Sequence, residues 1–107
     1  MILFFDYKGL HQEDNILGTL YEGARLFDQA ADPLLILIDV NDSSITWRFT
    51  TESIRLSNRD RKKIKKNAIV GVMGVKKILL ETYNLTSKAP VMNFNDLGSA
   101  MDYLVED

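Results

Sequence analysis

Between residues 67 and 80 the chain reads Asn67-Ala68-Ile69-Val70-Gly71-Val72-Met73-Gly74-Val75-Lys76-Lys77-Ile78-Leu79-Leu80, an apolar, β-branched run that breaks at two glycines into a helix-period pattern. It reads as strand, tight turn and helix. That succession belongs to open α/β domains, where a parallel strand delivers the chain to a helix whose first N–H groups are free at the sheet's carboxyl edge. Such folds usually bind their ligands and partners at that edge.

The rest of the chain alternates in the same way. Residues 2–7 form a short strand ended by the turn signal at Gly9. Ile16, Leu17, Leu20, Ala24 and Phe27 follow with the spacing of one helix face, and the helix stops near Asp32-Pro33. The run 34–40, Leu-Leu-Ile-Leu-Ile-Asp-Val, has no polar alternation and suits a central strand covered on both faces. After a turn at Asn41-Asp42-Ser43-Ser44, residues 45–49 read as an extended edge. Thr50 then caps a helix that has Glu52 in its first turn, carries Ile54 and Leu56 and runs toward Lys63. Ser57-Asn58-Arg59-Asp60 resembles a second capping box at which that helix restarts. In the helix after Gly74, Val75, Ile78, Leu79 and Tyr83 form the predicted core face. Residues 90–94 make a last strand, and Asn95 caps a closing helix with Leu97, Met101, Leu104 and Val105 inward. Strands alternating with helices predict a mainly parallel sheet of four to five strands with flanking helices.

Composition narrows the class. At 107 residues the chain is expected to be one domain, 1–107, and its 46% apolar content argues against disorder. Without cysteine it has no disulfide, thiolate metal site or thiol nucleophile. The apolar start, residues 1–5, lacks a basic leader and ends at Asp6, so no signal peptide or membrane span is predicted and a cytoplasmic location is expected. Charge is uneven. Residues 1–47 carry only Lys8 and Arg25 against many carboxylates, whereas residues 48–88 hold Arg55, Arg59, Arg61, Lys62, Lys63, Lys65, Lys66, Lys76 and Lys77 against Glu52, Asp60 and Glu81. A surface for polyanions is one reading of this asymmetry; a solvated helix end and loop is the plainer one.

Asp6-Tyr7-Lys8-Gly9-Leu10, the 34–40 strand containing Asp39, the block 68–80, and Phe94-Asn95-Asp96-Leu97 followed by Ala100 and Tyr103-Leu104 together resemble the SpoIIAA-like STAS family over almost the whole chain. The central block carries most of the likeness, through Ala68, Gly71, Gly74, Lys76 and Lys77. The resemblance implies a small α/β fold related to anti-sigma-factor antagonists and to CRAL-TRIO lipid-binding domains, usually without enzymatic activity. The basic segment before Asn67 is short against the family pattern, which implies a truncated preceding helix.

Candidate chemistry is sparse. Asp42-Ser43-Ser44 is similar to the phosphorylatable turn of bacterial anti-sigma-factor antagonists, where a phosphate adds roughly two negative charges. No Gly-Leu follows Ser44, and an ordinary polar turn satisfies the same residues. Gly71 to Gly74 before Lys76 and Lys77 is a glycine turn at a helix start, a place where a phosphate can sit. It is neither a P-loop nor a dinucleotide fingerprint, and Val72 and Met73 are too apolar for the GXXG clamp of a KH domain, so no nucleic acid is expected. Asp6 and Asp39 end their strands and meet at one edge if those strands are neighbours; strand-end aspartates commonly accept backbone N–H bonds. Asp39, Asn41 and Ser43 mimic the start of a calcium loop, but Ser44 stands in the glycine position and Thr50 in that of the closing glutamate, so no metal is expected. His11, the sole histidine, has no visible partner for general-base work. Trp47, Phe49 and Tyr83 line a binding surface if exposed and the core if buried.

The sequence therefore predicts a STAS-like regulatory module that binds another protein through Asp6, Asp39, Asn41, Asp42, Ser43, Ser44, Gly71, Gly74, Lys76 and Lys77, with no cofactor. A homodimer is compatible with it. The alternative is small-ligand binding, either a lipid in an apolar cleft or an anionic, phosphate-bearing molecule at the 71–77 helix start.

Overall fold

A computed structural model describes residues 2–106. The elements run β1 (Ile2–Asp6), α1 (Glu13–Gln29), β2 (Leu34–Asp39), α2 (Trp47–Asp60), a 3-10 turn (Arg61–Lys63), β3 (Ile64–Val70), α3 (Val75–Thr86), β4 (Met92–Phe94) and α4 (Leu97–Val105). All strand pairs are parallel and lie in the order β1-β2-β3-β4, with Asp6 opposite Asp39 and Asp39 opposite Val70. The two runs without polar alternation are thus the two central strands, as burial on both faces demands.

The two sheet faces are covered unequally. On one, Phe5 and Tyr7 of the β1 segment and Leu34, Ile36 and Val40 of the β2 segment pack under α1 through Ile16, Leu17, Leu20 and Phe27, with Leu56 of α2 and Leu80 of α3 alongside. Gly23 lets α1 come down on β1, since a Cβ there would overlap the Phe5 ring. On the other face Leu37, Ala68 and Val70 meet Ala100 and Leu104 of α4, with Phe94 and Tyr103 at the margin. This second cluster is small and depends on two alanines that let α4 lie close.

Several local expectations give way. Residues 45–49 are not an extended edge: α2 begins at Trp47, and its cap is Thr46, whose hydroxyl accepts from Phe49 N–H at 3.3 Å. Thr50 lies one turn inside, buried, donating to the Thr46 carbonyl. The β-branched and aromatic residues of 45–49 imitate a strand, but the cap hydroxyl decides the conformation. The helix does not restart at 57–60, because Ser57 and Asn58 serve tertiary contacts: Ser57 is hydrogen-bonded to the Tyr83 hydroxyl and Asn58 accepts from the Lys88 amide. Asp96, not Asn95, caps α4, accepting from Ser99 N–H at 2.7 Å, and that bond holds its carboxyl below the usual aspartate range. In α3, Leu79 and Tyr83 are buried but Val75 and Ile78 are 66% and 57% exposed, and in α4 Ala100 and Leu104 face inward while Leu97, Met101 and Val105 remain exposed.

Strand β3 also starts earlier than the apolar run, at Ile64. Lys63 and Lys66 explain how a basic segment enters a sheet. Lys63 Nζ donates to the Phe27 carbonyl at the end of α1, and Lys66 Nζ donates to the Tyr103 and Glu106 carbonyls at the end of α4. Neither helix has a basic residue in its own last turn, so lysines from a distant segment supply the positive charge that helix C-termini favour. Arg55 pairs with Glu52, and Arg59 with Asp28 and Asp60. Much of the basic run is thereby spent inside the molecule.

Candidate functional site

Parallel strands put their exits on one side of the sheet, and the loops after β1, β2 and β3 meet there. The Tyr7 amide donates to the Asp39 carbonyl, the Gly9 amide to Asp42, the Val40 amide to Val70 and the Ser44 amide to Leu10. Asp39 is buried, and its Oδ1 accepts from both the backbone and side-chain nitrogens of Asn41 at 2.9 Å. Asp6, on the next strand, accepts from the Lys8 amide at 3.1 Å. Both carboxylates therefore shape turns. Among the described residues no three carboxylate or histidine groups gather as metal ligands.

Gly71 is locked to this edge. Its φ is +89°, and an added Cβ would lie 2.5 Å from the Asn41 backbone nitrogen. A side chain is excluded both by conformation and by the approach of the β2 loop. Gly74 also has positive φ, at +61°, but faces open space and begins α3. Lys76 turns inward, its ammonium donating to the Val40 carbonyl at 2.7 Å, whereas Lys77 is exposed. The ten sequence-selected residues thus lie on three adjacent loops and one helix start, with Lys76 acting as a tie between α3 and the β2 exit.

The two candidate serines differ sharply. Ser43 is buried and donates to the Val40 carbonyl at 2.6 Å, while Ser44 is exposed. Ser44 Oγ lies 2.7 Å from His11 Nδ1, and Asp42 Oδ1 lies 3.3 Å from His11 Nε2. This partnership escaped the sequence reading because 33 residues separate His11 from Ser44. The available signal was topological: His11 follows β1 and Ser44 follows β2, and neighbouring parallel strands bring their exit loops together. A serine, a histidine and an aspartate in contact suggest nucleophile chemistry, yet His11 and Asp42 are mostly solvated, and neither main concavity of the surface is lined by any of the three. What the geometry does is latch the α1 start to the β2 loop. Asp42 adopts φ +47°, the only positive value outside glycine among the described residues, and so marks the tightest point of that loop.

Around the same edge stands an apolar rim. Trp47 is 56% exposed and Met73 68%, beside the exposed Val75 and Ile78. Trp47 and Asn58 are eleven residues apart, three helical turns, and so share a flank of α2; Asn58 binds the amide of Lys88, just beyond α3, so that flank faces α3. Trp47 and the first turn of α3 consequently border one surface. Phe49, two residues on, turns the other way, edge-on to Tyr7 at 5.0 Å.

No family model matches the chain, and no curated protein matches it. Among solved structures, an uncharacterised protein of the DUF3478 family from Shewanella loihica PV-4, described as having a SpoIIAA-like fold, superposes with a TM-score of 0.65 at 21% identity, covering 96% of this chain and 83% of that one. The chain has a SpoIIAA-like STAS fold.

Proposed function

Taking the SpoIIAA-like fold as premise, we propose that the chain is a non-enzymatic regulatory module that docks another protein on the carboxyl edge of its sheet. The observation that carries this reading is the apolar rim. Single exposed apolar residues are ordinary on soluble proteins, but Trp47 opens α2 while Met73, Val75 and Ile78 flank the first turn of α3, the helix packed beside it. Tryptophan and methionine are also the residue types that anchor interfaces, the first through area and the second through shape adaptability. The residues behind the rim, Asp6, Asp39, Asn41, Asp42, Ser43, Ser44, Gly71, Gly74, Lys76 and Lys77, divide the work: Asp39, Asn41, Ser43, Gly71 and Lys76, buried or half-buried, hold the loops together, and Asp6, Asp42, Ser44, Gly74 and Lys77 are exposed where a partner's polar groups would meet them.

Native mass spectrometry of the tagged chain purified from its own cells tests this. The wild-type protein is expected to carry a second protein of defined mass and stoichiometry, and a Trp47→Ala, Met73→Glu double variant is expected to lose it while keeping its circular-dichroism spectrum. Both positions are exposed, so the fold should tolerate the change. Retention of the same partner by the folded variant overturns the docking surface.

A further inference from the structure

Under α2 the molecule contains a second feature that the edge does not use. A space of about 110 Å³ lies between the helix-covered face of β2 and β3 and the inner sides of α2 and α3. Its floor is apolar, from Ile36, Ile38 and Ile69, and its far wall is Leu79 and Leu80. The roof is unlike either. The residues that α2 turns toward the space are mixed: Phe49 and Leu56 are apolar, whereas Thr50, Ser53, Ser57 and Asp60 are polar, and Asn67 of β3 faces them from the sheet. A helix that merely closes a core presents an unbroken apolar stripe instead.

Most of these polar groups are satisfied within the protein. Thr50 donates to Thr46, Ser57 is hydrogen-bonded to the Tyr83 hydroxyl, Asp60 accepts from Arg59, and the Lys76 ammonium is held by the Val40 carbonyl. Two are not. Ser53 Oγ and Asn67 Oδ1 are buried without a hydrogen-bond partner, and both residues line the space. Asn67 is only 5% exposed and sits in the middle of a central strand, directly opposite Ile36. A buried amide oxygen left unpaired keeps its desolvation cost without a compensating bond, so an asparagine in this position is unfavourable unless something meets it. The charged lining groups are already engaged, and burial pushes the pKa of the neighbouring Tyr7 hydroxyl up, keeping it neutral.

We propose that this space is a binding site for a small, neutral, amphipathic molecule of no more than one ring, which donates a hydrogen bond to Asn67 Oδ1 and meets the Ser53 hydroxyl. Size sets the class: an enclosed apolar cavity of roughly 150 Å³ takes a benzene ring, so the part of a ligand held in about 110 Å³ is at most one small ring, and its entry requires side-chain adjustment. Polarity sets the anchor, because the unpaired acceptor on β3 rewards a hydroxyl or N–H over a methyl of the same volume. Of the ten edge residues only Lys76 also lines this space, and its ammonium is held by the Val40 carbonyl.

Phenol and toluene, nearly equal in size and differing in one donor, are the probes. Titration followed by ¹H–¹⁵N correlation spectra should show saturable shifts with phenol confined to residues around Ile36, Ser53, Asn67 and Leu79, at least several-fold tighter than with toluene. Asn67→Leu should remove that preference, weakening phenol roughly three- to tenfold, the worth of one net hydrogen bond, while toluene binds as well or better. Ser53→Ala is a milder companion variant, at a helix position that tolerates alanine, and should weaken phenol in the same direction. Equal affinity for phenol and toluene in the wild type, or phenol affinity unchanged in both folded variants, overturns the anchor. Absence of saturable shifts with either probe overturns the site and leaves a bridging water as the partner of these two groups. Neither outcome bears on Trp47 or Met73.

Discussion

The two faces of the sheet solve the same problem in opposite ways. Beneath α4 the core is small and closed: Ala68, Val70 and Ala100 are fully buried, and Leu104 fills what remains. Beneath α1, α2 and α3 there is far more apolar surface, yet it holds a space, two unpaired polar atoms and a helix that turns Thr50, Ser53 and Ser57 inward beside Phe49 and Leu56. Tight packing uses complementarity to specify one structure, whereas loose packing under a polar roof leaves room for something else. One face is a fastening and the other a container.

The largest expected effect breaks the fastening. Leu104→Ala should cost about 2–5 kcal/mol in urea denaturation, because α4 has few other anchors and the cavity cannot collapse around two alanines. A value below about 1 kcal/mol would show that the second face contributes little. Next is a matched pair of overpacking changes. Ala100→Leu should destabilise by about 1–3 kcal/mol, since no space adjoins it, while Ser53→Leu should be near neutral or stabilising because it fills existing space and removes an unpaired hydroxyl. Equal penalties would erase the distinction between the faces. Smaller again is the cap of α4: Asp96→Ala should cost about 1 kcal/mol and speed amide exchange in 97–105 while leaving α1 protected. Uniform acceleration in both helices would contradict separate anchoring. The smallest concerns acid. Hydrogen bonds from Arg55 first, then Tyr21, hold the Glu52 carboxyl down to about 2. A lowered folded value means that the stabilisation is complete above the ordinary glutamate value of about 4.3 and fades as pH falls toward 2. The stability gap between wild type and Glu52→Gln should therefore narrow across that window, by less than about 1 kcal/mol because the group is solvated.

The sequence revealed whatever depends on local pattern. β2 and the later part of β3 were legible because an apolar run without alternation has few uses outside a central strand, and Gly71 announced a turn that no other residue can make. The boundaries that failed were set by partners far along the chain. Lys65 and Lys66 read as solvated charge until α4 offers its terminal carbonyls to Lys66, and Asn67 read as the border of a strand when it lies inside one. Val75 and Ile78 obeyed helical spacing as well as Leu79 did, but spacing cannot say which side of an apolar helix has a neighbour. For the site, the sequence found the loops and missed their connections. His11 to Ser44 and Lys76 to Val40 exist only once parallel strands have placed their exits side by side.

Lys63 and Lys66, three residues apart where β3 begins, reach in opposite directions, one to the end of α1 and the other to the end of α4. A short span of backbone therefore pins a helix on each side of the sheet. Fraying of that span loosens the last turns of α1 and α4 together while the packing of each helix still holds it separately, so only the C-terminal amides of the two helices should share an opening free energy.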